Sequence, residues 1–117
     1  MEKAEVKQTR CEVKYLHVQP TKLRRVLDQI RGKSIAEAMR VLTFATQSSS
    51  GYILKALKSA VSNAVQNDKL DLNRLVVSEA RANQALILRR WRARSRGMAA
   101  PRQKKWSHLY ISVQELN

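Results

Sequence analysis

Before residue 70, apolar residues recur at the three- and four-residue spacing of a helix in three separate stretches. Their predicted buried stripes are Leu23, Val26, Leu27 and Ile30; then Ile35, Ala38, Met39 and Leu42; and then Ile53, Leu57, Ala60, Val61, Ala64 and Val65. Pro20 is a favoured first residue for a helix, and Gly32 is typical of the position just after one. The predicted helices run from Pro20 to Gly32, from Ser34 to Phe44 or Ala45, and from the serines at 48–50 to about Asp68.

Side-chain caps are expected where the second and third helices begin. Ser34 followed by Glu37 has the spacing of a capping box, in which each side chain bonds the other residue's backbone N–H. A hydroxyl of the serines at 48–50 would cap the third helix. At the end of the first helix, Arg31 would place a cation in the last turn, where the helix dipole favours it.

Alternation of apolar and polar residues takes over at both ends of the chain. Residues 5–16 mix β-favouring and charged side chains, and residues 72–77 become β-favouring after a polar turn. Near the C-terminus, Leu109, Ile111 and Val113 share one strand face. We therefore predict an α+β fold, with three helices packed on a small antiparallel sheet that contains the N-terminal strand and both bases of a long hairpin.

Between the two bases lies a basic hairpin extension that we call the finger, residues 81–107. No acidic residue falls between Glu79 and Glu115, and Gly97 and Pro101 supply turn-forming residues near the middle. Its cations are Arg81, Arg89, Arg90, Arg92, Arg94, Arg96, Arg102, Lys104 and Lys105. With about 13 residues per arm at roughly 3.3 Å each, the finger would project by about 40 Å.

The finger is predicted to need a partner in order to hold its shape. An isolated two-stranded ribbon is marginal in water, and its middle has no apolar face that offsets the entropy of ordering. Repulsion among its cations adds to that cost. A solvated basic loop is the simpler interpretation, but arginines interleaved with Trp91 and Trp106 favour RNA, because arginine pairs with phosphate and indole rings stack on bases.

Composition and charge agree with this interpretation. The 117 residues leave room for one domain, with a body of about residues 5–80 and 108–115 plus the finger. Lys and Arg total 23 against 9 Asp and Glu, so the net charge is 23 − 9 = +14, which indicates a polyanionic partner. The single cysteine, Cys11, excludes an internal disulfide. No apolar run approaches the roughly 20 residues that span a bilayer, and the N-terminus lacks a signal core.

Nothing local in the sequence indicates catalysis or a cofactor. There is no glycine-rich phosphate loop, no carboxylate pair at a motif spacing, and no metal-ligand pattern around His17 or His108. We therefore expect no enzyme activity, no cofactor and no metal. The alternatives that remain are an architectural DNA-binding protein with a basic β-arm, an RNA-acting enzyme whose residues converge in space, and a membrane-active cationic protein.

Several separate segments, in order, resemble large-subunit ribosomal protein twenty-two of the bacterial and organellar type. The similar segments are Tyr15–Arg24 with Ile30–Ser34, Leu57–Ala64 with Asn67, Val77–Ala80, Leu88–Gly97, and Ser107–His108 with the alternating residues that follow. The resemblance covers residues 13–114. It departs from the family at Ala85 and Leu86, where a Gly-Pro pair is common, and at Ala93, Met98 and Trp106.

The resemblance implies a structural protein of the large ribosomal subunit that binds ribosomal RNA and supports assembly. Its partners would be that RNA, neighbouring ribosomal proteins and, at the tip of the finger, the nascent peptide in the exit tunnel. No membrane and no homo-oligomer are expected, and the ribosome would be that of a bacterial cytoplasm or an organelle. The expected tunnel-lining tip is Arg92, Ala93, Arg94, Ser95, Arg96, Gly97 and Met98.

The expected RNA-binding residues combine the finger with cations near the first helix. They are Lys14, His17, Lys22, Arg24, Arg25, Arg31, Lys33, Arg81, Arg89, Arg90, Trp91, Arg92, Arg94, Arg96, Arg102, Lys104, Lys105, Trp106 and His108. With Gly97 and Met98 at the turn, Trp91 and Trp106 are expected about one residue out of register on opposite arms. They would then be near neighbours, or each would stack on RNA.

Overall fold

The computed structural model describes residues 8–115, in which three helices pack on one face of a three-stranded sheet. The elements are β1 (Gln8–Leu16), α1 (Pro20–Ile30), α2 (Ile35–Phe44), α3 (Ser50–Gln66), β2 (Leu75–Ala93) and β3 (Ala99–Glu115), with short 3-10 helices at Leu72–Arg74 and Ser95–Gly97. Helix α1 begins at Pro20 as expected. Residues 5–7 of the predicted first strand lie outside the described residues.

The sheet confirms the predicted α+β fold. Its strand order is β1-β3-β2, and both pairs are antiparallel, so β3 is the central strand. Leu109, Ile111 and Val113 of β3 are fully buried beneath the helices. Because side chains alternate across a strand, this one face supplies the sheet's part of the core while the other face stays polar.

The helical stripes fill the other half of the core. Their fully buried large side chains include Leu23, Val26, Leu27, Ile30, Leu42, Ile53 and Leu57. Two predicted members lie at the edge of it: Met39 is half-buried against the core, and Val65 is exposed. Val65 belongs to the last turn of α3, next to the fully buried Ala64. The stripe of α3 therefore ends one residue before the periodicity predicts.

The predicted side-chain caps are wrong at both helix starts. Neither Ser34 before α2 nor Ser49 before α3 makes a side-chain capping bond. Ser34 instead forms a β-bridge with Val76, which ties the helix start to β2. Before α3, the Ser50 hydroxyl donates to the Gln47 carbonyl oxygen at 2.7 Å. Tertiary pairing therefore holds the backbone where α2 starts, and the Ser50 hydroxyl bonds back to the preceding turn and does not cap α3.

The end of α1 also differs from the prediction. The helix stops at Ile30, and Arg31 already has an extended backbone, so its charge is not in the last helical turn. Gly32 has a φ of +79°, a left-handed conformation that glycine adopts without the strain other residues meet. Its N–H donates to the Val77 carbonyl oxygen at 3.0 Å, and Val77 N–H donates to Lys33. This turn fixes α1 to β2.

Strands β2 and β3 pair from the body out to the tip of the finger. Strand β2 begins at Leu75 and not near Leu72, because Leu72–Arg74 form a 3-10 helix whose first turn is held by the Asp71 carboxylate. Register shifts occur between Val77 and Glu79 and between Gln84 and Ile87. The molecule is correspondingly elongated, with extents of 68 × 33 × 24 Å.

The expected proximity of the two tryptophans is wrong. Trp91 pairs with Pro101, while Trp106 lies opposite the bulge between Gln84 and Ile87. Pro101 and Trp106 are five residues apart on β3, which corresponds to about 17 Å at roughly 3.3 Å per residue. The register of this stretch is centred on residue 96, because Ala93 pairs with Ala99 and Ile87 with Lys105, and not between Gly97 and Met98 as expected.

The turn at the tip is tight and left-handed. Arg96 (φ 60°, ψ 32°) and Gly97 (φ 69°) both have positive φ, and Arg94 N–H donates to the Met98 carbonyl oxygen at 2.6 Å. Glycine takes this conformation freely, whereas at Arg96 it costs about 1 kcal/mol. The turn therefore presents Arg96 at the extreme end of the finger.

Candidate nucleic-acid interface

Two arginines of the α1 region fasten the body to β2. The Arg31 guanidinium donates from Nε at 3.1 Å and from Nη2 at 2.5 Å to the Ala80 carbonyl oxygen, and it pairs with Asp28 at 2.7 Å. The Arg24 Nε donates to the Ala82 carbonyl oxygen at 3.1 Å. Both side chains were predicted to contact RNA. In the structure, each also anchors the root of the finger.

The segment between β1 and α1 holds the opposite arm. The ring of His17 stacks on Trp106, with centroids 3.9 Å apart and planes inclined by 21°. Beside it, the fully buried Ser107 hydroxyl donates to the Val18 carbonyl oxygen at 2.8 Å. The indole Nε1 of Trp106 is buried without a hydrogen-bond partner among the described residues. These contacts fix β3 where it leaves the body.

The second histidine has a structural contact of its own. His108 Nδ1 accepts a hydrogen bond from the backbone N–H of Tyr15 at 3.1 Å, and the two rings meet edge to face at 4.9 Å. Tyr15 has a backbone φ of 59°, which residues other than glycine rarely adopt. His108 therefore satisfies a backbone donor at an irregular point in β1.

Beyond the bulge, residues 87–105 leave the body as what we call the distal finger, and its cations are exposed except for the half-buried Lys105. From Arg89 to Ala99 every residue is exposed, and the Trp91 side chain is 74% exposed. The ion pairs within residues 8–115 are Arg10–Glu12, Arg31–Asp28, Arg74–Glu115 and Arg81–Glu79. No cation from Arg89 to Lys105 takes part in them, so the distal charge is left for an external anion.

A cleft of about 580 Å³ lies between the start of α1 and the distal finger. Eight of the predicted RNA-binding residues border it: His17, Lys22, Arg90, Trp91, Arg92, Arg102, Lys104 and Lys105. The cross-strand register places Arg90 directly opposite Arg102. No acidic residue lines the cleft, so its chemistry suits a phosphate group beside an aromatic stacking surface.

Other predicted residues lie elsewhere on the exposed surface. Lys14 is on β1, Arg25 is on α1, and Lys33 is in the turn that follows Arg31. Arg81 is held over the Tyr110 ring at 4.7 Å and pairs with Glu79 at 3.0 Å. Residues 94 and 96 are at the tip. The predicted residues thus fall into three groups: those that line the cleft, those at the tip of the finger, and single residues at other places on the surface.

The prediction missed three neutral residues of the cleft: Gln19, Leu88 and Gln103. Gln19 precedes α1 and accepts the backbone bonds of its first turn, so its place next to Pro20 is a signal that the sequence does contain. Leu88 stands opposite Lys104, and Gln103 stands opposite Arg89. Their positions depend on the strand register, which alternation alone does not specify.

Two further observations bear on the alternatives. Within residues 8–115, no group of three or more His, Cys, Asp or Glu side chains is placed to hold a metal ion. Among the helices in that range, none combines the length and the apolar character needed to cross a membrane.

Comparison with known proteins decides the family. The model of the family described as ribosomal protein L22p/L17e matches residues 11–114. The chain is also 42% identical over 113 residues to the large ribosomal subunit protein uL22 of Lactobacillus delbrueckii subsp. bulgaricus, covering 97% of each chain. The chain belongs to the ribosomal protein L22p/L17e family. This confirms the resemblance drawn from the sequence.

Membership of this family decides between the function classes left open above. The chain is a ribosomal protein of a structural class and not of an enzyme class, and the DNA-binding β-arm is not favoured. The match spans body and finger together, so the finger is part of what defines the family and not an addition to it. The exposed cations of the finger thus belong to a ribosomal protein, and ribosomal RNA is the polyanion that such a protein meets.

Proposed function

We propose that the protein is a structural constituent of the large ribosomal subunit, where the finger is inserted into ribosomal RNA and the body stays on the outside. One observation supports this proposal most directly. Within the described residues, the distal finger has many cations but makes no internal ion pair and has no hydrophobic face. Arginine provides counter-charge at high density along this ribbon, and its guanidinium pairs with phosphate through two hydrogen bonds.

The predicted tip residues, Arg92 to Met98, would line the nascent-peptide tunnel in this proposal. The tight turn brings Arg94, Arg96 and Met98 to the end of the ribbon, with Met98 69% exposed. Neighbouring large-subunit proteins would contact the body. The protein itself has no catalytic activity in this account and acts at the ribosome of a bacterial cytoplasm or an organelle.

The mechanism of binding is mainly electrostatic. Each phosphate neutralised by Lys or Arg releases condensed counter-ions, so affinity for RNA falls steeply with salt. With six or more phosphate contacts, the affinity of the free protein would fall by about 10³-fold or more between 50 and 200 mM salt on the duplex-DNA scale. The assembled particle would resist salt better, because the finger is then enclosed.

A charge-removal experiment tests the proposal. We expect that replacing Arg89, Arg90, Arg94 and Arg96 together by Ala leaves the unfolding temperature of the body unchanged, because these side chains are exposed and outside the core. The same variant should be depleted from large subunits in sucrose-gradient sedimentation after competition with the unchanged protein.

The control removes equal charge from the exposed surface of the body: Arg40, Lys55 and Lys58 replaced by Ala and Lys69 by Asn. Asn is chosen at 69 because that residue has a φ of 54°, which Asn tolerates. The control should incorporate normally. Equal depletion of both variants, or normal incorporation of the finger variant, contradicts the proposal.

A further inference from the structure

The cleft between α1 and the finger has features that exposed phosphate-binding surfaces do not require. It is concave, and its volume of about 580 Å³ falls within the roughly 300–1,000 Å³ typical of small-ligand pockets. An RNA duplex is too large to enter such a space. A single nucleotide, with one base and one phosphate, fits a pocket of this class.

The electrostatics of the cleft favour one bound anion. Arg90 and Arg102 face each other across the two strands, and like charges directly opposite destabilise a sheet. No acidic side chain lines the cleft to relieve this repulsion. On the opposite wall, Lys22 lies in the first turn of α1, and that turn contains no acidic residue. A phosphate between these walls would neutralise the pair.

The aromatic part of the cleft supplies what a phosphate site alone lacks. Trp91 also borders the cleft and its side chain is 74% exposed, but it follows Arg90 on β2, so its ring stands on the other face of the ribbon and meets a ligand of the cleft only at the edge of β2. Unpaired bases of RNA stack on such rings, and stacking contributes about 1–3 kcal/mol per base. A nucleotide whose phosphate meets the arginines reaches this ring by extending its base over the edge of β2.

We propose that this cleft receives one unpaired nucleotide turned out of the ribosomal RNA, with its phosphate at Arg90 and Arg102 and its base extended over the edge of β2 against Trp91. The proposal rests on the proposed ribosomal function and deepens it. It makes the junction of body and finger a specific docking point, where a single nucleotide joins α1 to the distal finger. The remaining finger cations then act as general counter-charge.

Photo-crosslinking in assembled large subunits tests this directly. A benzophenone amino acid replaces either Trp91 or Gln19, which line the cleft from the finger and from the body respectively. A third variant has it at Arg94, next to the turn at the tip and outside the cleft lining. The first two should capture the same ribosomal-RNA nucleotide, and the third should capture another.

Chemical probing of that nucleotide gives an independent readout. In subunits containing the R90Q/R102Q variant its base should react with base-modifying reagents at least about fivefold faster, because a stacked base becomes free. The R89Q/R94Q variant removes equal charge from the finger outside the cleft, and it should leave the reactivity unchanged. Both variants are scored only on subunits that have incorporated them.

The outcomes separate this inference from the ribosomal function. Capture of different nucleotides from positions 91 and 19, capture of a base-paired nucleotide, or equal reactivity changes in both double variants overturns the nucleotide site while the protein remains in the subunit. Failure of the unsubstituted protein to sediment with large subunits overturns the proposed function, and the nucleotide site with it.

Discussion

Arg24, Arg25 and Arg31 are close in sequence and all exposed, yet only two of them bond to β2. Arg31 and Arg24 donate to the carbonyl oxygens of Ala80 and Ala82, whereas the Arg25 side chain makes no hydrogen bond or ion pair within residues 8–115. From the sequence, all three were expected to contact RNA. The structure shows why charge alone misleads here: a guanidinium can satisfy a carbonyl on its own chain as readily as a phosphate.

Replacing Arg31 should therefore weaken the body itself. We expect Arg31→Ala to lower the free energy of unfolding by about 1–3 kcal/mol, because it leaves the part-buried Ala80 carbonyl without its charged donors. Urea unfolding followed by circular dichroism measures this. Arg25→Ala is the matched control and should change stability by less than about 0.5 kcal/mol. Equal losses in both variants would show that general charge, and not the carbonyl contact, matters.

Other errors of prediction at the residue scale have a common physical source. Ser34 and the serines at 48–50 have suitable cap chemistry, but Ser34 is engaged by a β-bridge to Val76. A short-range motif states what a side chain can do. Which partner it takes depends on the elements that fold against it.

At the scale of elements, β3 determines how the molecule is put together. It pairs with β1 on one side and with β2 on the other. Its alternating apolar and polar residues predict a strand with one buried face and one exposed face. The helices, the strands and their packing were predictable for the same reason, because each has a clear period. The register was not, since the strands pair about residue 96 and not about Gly97 and Met98, which places Trp91 and Trp106 far apart.

That register gives the two tryptophans different properties. Trp106 is half-buried and stacks on His17, while Trp91 is 74% exposed on the distal finger. We expect Trp106→Thr to lower the free energy of unfolding by about 1–3 kcal/mol, since an aromatic contact and its buried area are lost. Thermal denaturation of the purified protein is the measurement.

The corresponding change at the second tryptophan is the control. Trp91→Thr should leave the melting temperature of the body within about 2 °C, because a surface substitution changes stability by only a few tenths of a kcal/mol. A large loss for Trp91→Thr, or none for Trp106→Thr, would mean that the stacking on His17 does not hold the root of the finger.

At the scale of the whole molecule, charge and shape are divided between two parts. The body buries its apolar residues in a core of helices and sheet, and the distal finger buries almost nothing. The composition predicted the polyanionic partner, and the acid-free run predicted which part meets it. The cleft was not predictable, because it depends on how the finger leans over the start of α1.

The central claim is that RNA, and not the protein's own core, stabilises the distal finger. Hydrogen–deuterium exchange of the backbone amides tests it most directly, on the purified protein and on large subunits that contain it. We expect residues 75–84 and 107–115 to be protected in both samples, and residues 87–93 and 99–105 to be protected only in the subunit. Slow exchange of the distal amides in the free protein at ordinary ionic strength would contradict the account.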